Sequence, residues 1–256
     1  MSRPAITCVV PTYESPALAA QCLISIAAQR DIDGEIIVVD DSVSSRVAET
    51  VEALRPILPP VRFVAGARTG NPVDNWNHGL GLAAASVHLV IHQDEYLIDP
   101  LYLRRAVDAL DRAGPDAVAA RAGTVVIGLT RPSRFALASA LVSRLPGARA
   151  LLPAINWIGP TAAFVFRAGP RFDPSLVQLA DVEFYGRVLG QGGLLRLPGK
   201  AVGSLGHHGE QITARIDPIT LARQEMAMLA ARAPAGITPL THAIALTALR
   251  FRGRGG

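Results

Sequence analysis

Val90-Ile91-His92-Gln93-Asp94-Glu95-Tyr96 joins an apolar run to two adjacent carboxylates, and Asp99-Pro100 turns the chain shortly afterwards. Acids at the carboxyl end of a buried strand stand where open α/β sheets bind ligands. Side by side they repel each other and lose hydration unless a cation or hydrogen-bond donors compensate. Hard oxygen ligands suit Mg²⁺ or Mn²⁺, so a divalent ion carrying a diphosphate is the economical reading. The plain alternative is a loop with two solvated acids.

Upstream, strands and helices alternate. Ile6–Val10 is a β-branched run closed by Pro11, and Ser15-Pro16 opens a helix whose apolar positions are Leu18, Cys22 and Ile26, with Ala19 and Leu23. Glu35–Val39 predicts a second strand ending in Asp40-Asp41-Ser42, followed by a helix over about 44–55. Val61–Ala65, a helix over 74–85 and a fourth strand over 87–92 complete the series, and Asp99-Pro100 caps a further helix. The strands read as continuous apolar runs, the mark of a mostly parallel sheet covered on both faces. In such a sheet the polar strand ends, Pro11-Thr12-Tyr13-Glu14, Asp40-Asp41-Ser42 and Asp94-Glu95, share one edge and converge on one crevice. The turn after the first strand has no glycine and no GxxxxGK[ST] loop exists, which argues against dinucleotide and triphosphate cradles.

The second half is less regular. Residues 117–129 predict one or two strands, 161–166 another, and 180–189 a helix with Asp181 at its start. Asp217-Pro218 caps a helix to about Arg232, and 240–250 predicts a last helix before a basic, Gly-rich tail. No acid occurs between Asp116 and Asp173, and Arg131–Arg149 carries four arginines around an apolar helical stretch. The expected organisation is one domain over 1–256, with a regular half to about residue 115 and an acceptor half from about 116.

With 50% apolar and 18% charged residues, the 256-residue chain can bury a sizeable core. The net charge of +4 comes from arginine, Lys200 being the only lysine, and is too diffuse to argue for nucleic acid. Cys8 and Cys22 read as buried free thiols. Neither a signal peptide nor a membrane-spanning run is evident, so a cytoplasmic protein is expected.

Taken in order, these motifs resemble the GT-A fold, family 2 inverting glycosyltransferases, over roughly residues 6–213. Val9-Val10-Pro11-Thr12-Tyr13 resembles the opening strand and its nucleoside-contacting turn, and Val38–Ser42 the second strand with its acidic pair. Asn75-Trp76-Asn77 is similar to the asparagine-bearing helix, and His92–Glu95 to the metal-binding DxD region. Leu179–Phe184 resembles the motif that supplies the base, and His208–Thr213 an element whose histidine joins the metal shell. Gln93 and Glu95 depart from the usual residues.

The resemblance implies a metal-dependent transfer of a sugar, hexosyl or related, from a nucleotide-diphosphate sugar to an acceptor hydroxyl in cell-envelope or polysaccharide synthesis. Asp181 is the implied base. Pro11, Thr12, Tyr13, Glu14, Asp41, Asn77 and Asp94 are the implied donor contacts, and Asp94, Glu95 and His208 the metal ligands. The acceptor is a glycan, a lipid-linked molecule or a small molecule. A peripheral contact with the inner membrane face, through Arg131–Arg149 or the C-terminal tail, is a secondary expectation, against a simply solvated basic face. Rival functions are a sugar-1-phosphate nucleotidylyltransferase and a non-catalytic nucleotide-sugar-binding module. At residue level, Glu183 is the rival base, Asp40 reads as a structural strand-end acid, and Trp76 and Trp157 read as core rather than sugar platforms. His92 reads as buried and hydrogen-bonded, and His208 is weighed against a surface-loop histidine.

Overall fold

The computed structural model describes residues 3–127, 139, 141–145, 147–205 and 218–232. Three β-α units and a fourth strand open the chain: β1 (Ile6–Thr12), α1 (Pro16–Ala27), β2 (Gly34–Asp40), α2 (Arg46–Leu54), β3 (Val61–Ala65), α3 (Pro72–Leu82) and β4 (Val87–Val90). There follow β5 (Glu95–Leu97), α4 (Tyr102–Ala113), β6 (Ala117–Ile127), β7 (Phe164–Arg167), α5 (Ala180–Val188), β8 (Gly193–Leu205) and α6 (Pro218–Arg232).

One eight-stranded sheet runs in the order β3-β2-β1-β4-β7-β6-β8-β5. The pairs β1–β2, β1–β4, β2–β3 and β6–β8 are parallel, whereas β7 is antiparallel to both β4 and β6, and β5 is antiparallel to β8. Consecutive residues of β1 and β2 are buried on opposite faces. Ile6, Cys8, Val10, Ile36 and Val38 join α1, α2 and α4 in one core; Val9, Ile37 and Val39 join α3, α5 and α6 in the other. This two-sided burial is why the strands read as unbroken apolar runs. Cys8 and Cys22 are both buried free thiols, as expected. No described helix is long and apolar enough to cross a membrane.

Three elements depart from the sequence expectation. Helix α3 begins at Pro72, because Asn71 accepts the Val73 N–H at 3.0 Å and proline occupies the first turn. Strand β5, between the acidic pair and the expected turn at Asp99-Pro100, was not foreseen; Glu95 to Leu97 pair with Ser204 to Val202. Strand β8 was not foreseen; Pro198 and Gly199 interrupt its sequence, and its register with β6 shifts at three points.

Helix α3 lies against the sheet through Gly79, where an added Cβ would stand 2.3 Å from Val9 Cγ1 and 3.0 Å from Val39 Cγ2. Both neighbours are buried strand side chains that cannot yield. Gly79→Ala should therefore destabilise by about 1–3 kcal/mol, overriding alanine's better helix propensity. A lower urea midpoint with unchanged slope is the measurement that checks it.

Candidate active site

The parallel register places the ends of β1, β2 and β4 on one edge, Thr12 opposite Asp40 and Val9 opposite Val90. Asp40 is buried and accepts hydroxyl hydrogen bonds from Thr12 at 2.8 Å and Ser42 at 2.7 Å, the structural role weighed for it. Asp41 points the other way. Its Oδ1 takes the Arg68 N–H at 2.8 Å, and Arg68 (φ 53°) returns a guanidinium hydrogen bond to the Ser42 carbonyl at 3.1 Å. Gly66 leaves room for this carboxylate, since a Cβ there would stand 2.5 Å from Asp41 Oδ1 and 2.7 Å from Asn75 Oδ1.

Two residues expected at a nucleotide are engaged within the fold. The Glu14 carboxylate accepts the Ser44 hydroxyl at 2.6 Å, the Ser44 N–H at 3.1 Å and the Val43 N–H at 2.6 Å, closing the turn before α2. The Ser44 hydroxyl first, then the Ser44 and Val43 N–H groups, hold its carboxyl below the ordinary range. The Asn77 amide pairs with both backbone groups of Phe172, each at 2.9 Å, and so fixes the chain beside α3.

The turn after β1 is tied to the tip of β4 by a contact that sequence reading missed. Gln93 accepts the Tyr13 N–H at 3.0 Å and donates to the Tyr13 carbonyl at 3.0 Å. Its carboxamide thus imitates one rung of a strand ladder. Asp94 follows, half-buried, its carbonyl accepting the Leu205 N–H at 3.0 Å.

Glu95 is almost sealed, at 4% exposure. Its Oε2 accepts the His92 N–H at 3.0 Å, the Thr161 hydroxyl at 3.0 Å and the Ala162 N–H at 3.1 Å. His92 Nδ1 stands 3.9 Å from Oε1, while the ring packs against Trp76, tilted by 38° with centroids 4.7 Å apart. His92 Nε2 is sealed without a hydrogen-bond partner among the described residues, unlike the bonded ring expected. Burial outweighs the His92 charge and the hydrogen bonds and pushes the Glu95 carboxyl up. Glu95 thereby anchors the strand tip, and no group of three or more metal-binding side chains assembles among the described residues. His208, the third expected ligand, lies outside the described residues, as do the tail and residues 128–138, where the basic stretch begins.

Asp181 is the second residue of α5 and half-buried. Its Oδ2 accepts the Asn156 side-chain N–H at 3.0 Å, and Asn156 also exchanges two hydrogen bonds with Gly159, at 2.9 and 3.0 Å. The rival acid, Glu183, is ion-paired with Arg187 at 2.8 Å. The short run 156–162 thus grips Asp181 at one end and Glu95 at the other. Tyr185 lies between, its hydroxyl donating to the Gly159 carbonyl at 3.3 Å; burial, then the charges of Asp181 and Glu95, push its hydroxyl up. The start of α5 is fixed from α6, where buried Glu225 accepts the N–H groups of Val177, Gln178 and Leu179 at 2.8, 3.1 and 2.7 Å. Both tryptophans are core residues, Trp157 donating its indole N–H to the Ala148 carbonyl at 2.8 Å.

Comparison with known proteins fits this geometry. Residues 7–166, well over half the chain, match the family model described as Glycosyl transferase family 2. The chain belongs to that family. It is 31% identical over 143 residues to the succinoglycan biosynthesis protein ExoO of Rhizobium meliloti strain 1021, an overlap covering 56% of this chain and 40% of that relative's length. Among solved structures, S. aureus TarS 1–349 in complex with UDP-GlcNAc superposes with a TM-score of 0.67 at 18% identity, over 98% of this chain and 74% of TarS 1–349. The mannosyltransferase PcManGT of Pyrobaculum calidifontis, in complex with GDP-Man and Mn²⁺, gives 0.66 at 18% identity over 100% of this chain and 77% of its own. At such identities the likeness shows the fold, which is GT-A.

Two outcomes test the anchoring carboxylates. Because the Glu95 carboxyl is raised in the folded protein, its contribution to stability is complete below its ordinary 4.5 and is lost as pH rises through the folded value. Glu95→Gln keeps the acceptor oxygen without the charge, so its stability relative to wild type should improve from acid to neutral pH in denaturant titrations. Glu225→Gln turns an N–H toward a backbone donor and should cost about 1–3 kcal/mol, read as a lower urea midpoint.

Proposed function

We propose that this chain is a metal-dependent, inverting glycosyltransferase that moves a sugar from a nucleoside-diphosphate sugar to an acceptor hydroxyl, in the building of cell-envelope or polysaccharide glycans. The observation that carries the reading is the run 156–162, which holds Asp181 and the acidic tip of β4 on one piece of chain. Asp181, half-buried and oriented by Asn156, is the base that receives the acceptor's hydroxyl proton. The freed oxygen attacks the anomeric carbon from the face opposite the diphosphate; the new C–O bond forms as the sugar–phosphate bond breaks, and configuration inverts. Pro11, Thr12 and Tyr13 line the donor side, with Asp41 toward the base. The regular half to about residue 115 takes the donor, and the remainder takes the acceptor.

A divalent cation fits Asp94, a hard oxygen donor half-buried at the strand tip beside the anchored Glu95. One protein carboxylate suffices for Mg²⁺ or Mn²⁺ when diphosphate oxygens and water complete the shell. When bound, the cation neutralises charge developing on the leaving diphosphate. The relatives add weight, since UDP-GlcNAc is bound in one structure and GDP-Man with Mn²⁺ in the other.

Asp181→Asn should lower kcat by about 10²-fold or more while leaving nucleoside-diphosphate affinity unchanged. Asp94→Asn should abolish the Mn²⁺-dependent part of that affinity, and Glu95→Gln should retain it. Thermal shifts and turnover with UDP- and GDP-sugars, with and without Mn²⁺, provide the check. Full activity in Asp181→Asn, or no stabilisation of wild type by either nucleotide, would overturn the reading.

A further inference from the structure

The turn that orients Asp181 also carries two arginines. Arg121 of β6 and Arg196 of β8 are register partners on adjacent parallel strands, so their side chains leave the same face of the sheet. Both reach the turn 156–159. Arg121 donates its Nε–H to the Ile158 carbonyl at 2.8 Å, and the Arg196 guanidinium lies over the Trp157 ring, 5.7 Å from its centroid. Three successive residues therefore hold three functional groups: Asn156 the Asp181 carboxylate, Trp157 the Arg196 guanidinium, and Ile158 the Arg121 guanidinium. Both cations are thereby tied to the same turn that orients the base.

Neither arginine has an acidic partner among the described residues, and no acid occurs in the sequence from residue 117 to 172. Among the described residues, Arg121 has the Ile158 carbonyl as its acceptor and Arg196 the Ser143 carbonyl. Each guanidinium carries five N–H donors, more than these contacts use. Burial, then the charge of Arg196, push the half-buried Arg121 below its ordinary value. Packing alone asks for no second cation here. An anion bridging the two guanidinium groups relieves the repulsion and uses the free donors in the forked geometry that arginine offers to phosphate and carboxylate.

We infer that Arg121 and Arg196 form an anion subsite on the acceptor side, selecting an acceptor that carries a phosphate close to the hydroxyl it presents to Asp181. The inference rests on the reading of Asp181 as the base. The phosphate belongs either to a soluble sugar phosphate or to a lipid-linked acceptor, and the chemistry recognised is the same.

The test follows the arginine Nε–Hε resonances by NMR while inorganic phosphate, glucose 6-phosphate or octyl phosphate is titrated into protein saturated with nucleoside diphosphate. Saturable shifts of the Arg121 and Arg196 signals are expected, with affinity falling about tenfold in Arg196→Gln for loss of one bidentate partner. Tighter binding of glucose 6-phosphate assigns a soluble acceptor, and tighter binding of octyl phosphate a lipid-linked one. In turnover assays with a hydroxyl-bearing acceptor of the preferred kind, glucose 6-phosphate or its octyl phosphodiester, Arg196→Gln should raise the acceptor KM and leave the donor KM unchanged. Because Arg196 is exposed, its variant should fold, and Arg121→Lys, which keeps the charge but loses the fork, should weaken binding in the same direction. Arginine resonances that ignore all three compounds, or equal affinity in Arg196→Gln and wild type, would overturn the subsite alone. Failure of UDP and GDP to bind would instead overturn the proposed function.

Discussion

A buried carboxylate with three donors on one oxygen organises this molecule. Glu95 sits past the end of β4, and its Oε2 joins His92 of its own loop to Thr161 and Ala162, more than sixty residues away. An acid sealed at this depth is tolerable only with its hydrogen bonds complete, because losing one leaves polar groups stranded in a low dielectric. The contact therefore acts as a constraint on the fold. It fixes the loop that presents Asp94, and it fixes the run that reaches back through Gly159 and Asn156 to Asp181. The two sides of the proposed reaction are held in common by one residue that need not touch the substrate.

The regular half was legible because its signals are local. β-branched runs, an N-terminal proline in α1 and polar strand ends all act within a few residues, and the two-sided burial of β1 and β2 bears out their unbroken apolar character. What one sequence leaves ambiguous there is the surroundings of each polar group. Adjacent acids at a strand tip read alike, and only the surrounding chain shows that Glu95 is buried while Asp94 is half-buried. The Asn77 amide pairs with the Phe172 backbone, a partner that nothing near it in sequence signals.

The acceptor half was harder because its contacts are distant in sequence. Strand β8 carries Pro198 and Gly199 in its interior and follows β6 through register shifts, so no clean period marks it. Glu225 fixes the start of α5 from nearly fifty residues downstream, and nothing near it in sequence announces that partner. Asn156 did leave a trace, since an asparagine three residues before a glycine is a turn signal. That signal gives the turn and not the acid it orients. Asp181 itself was legible as a helix-start acid, while the ion pair of Glu183 with Arg187 is seen only in the structure.

The Gln93 contact has a consequence for how this fold diverges. Its carboxamide holds residue 13 only through main-chain atoms, while the Tyr13 ring stays 42% exposed. Position and identity are thereby separated: the turn keeps its place whatever side chain projects from it. Substitutions at residue 13 can explore new partners without disturbing the strand tips beneath, so variation can accumulate on this rim while the scaffold stays still.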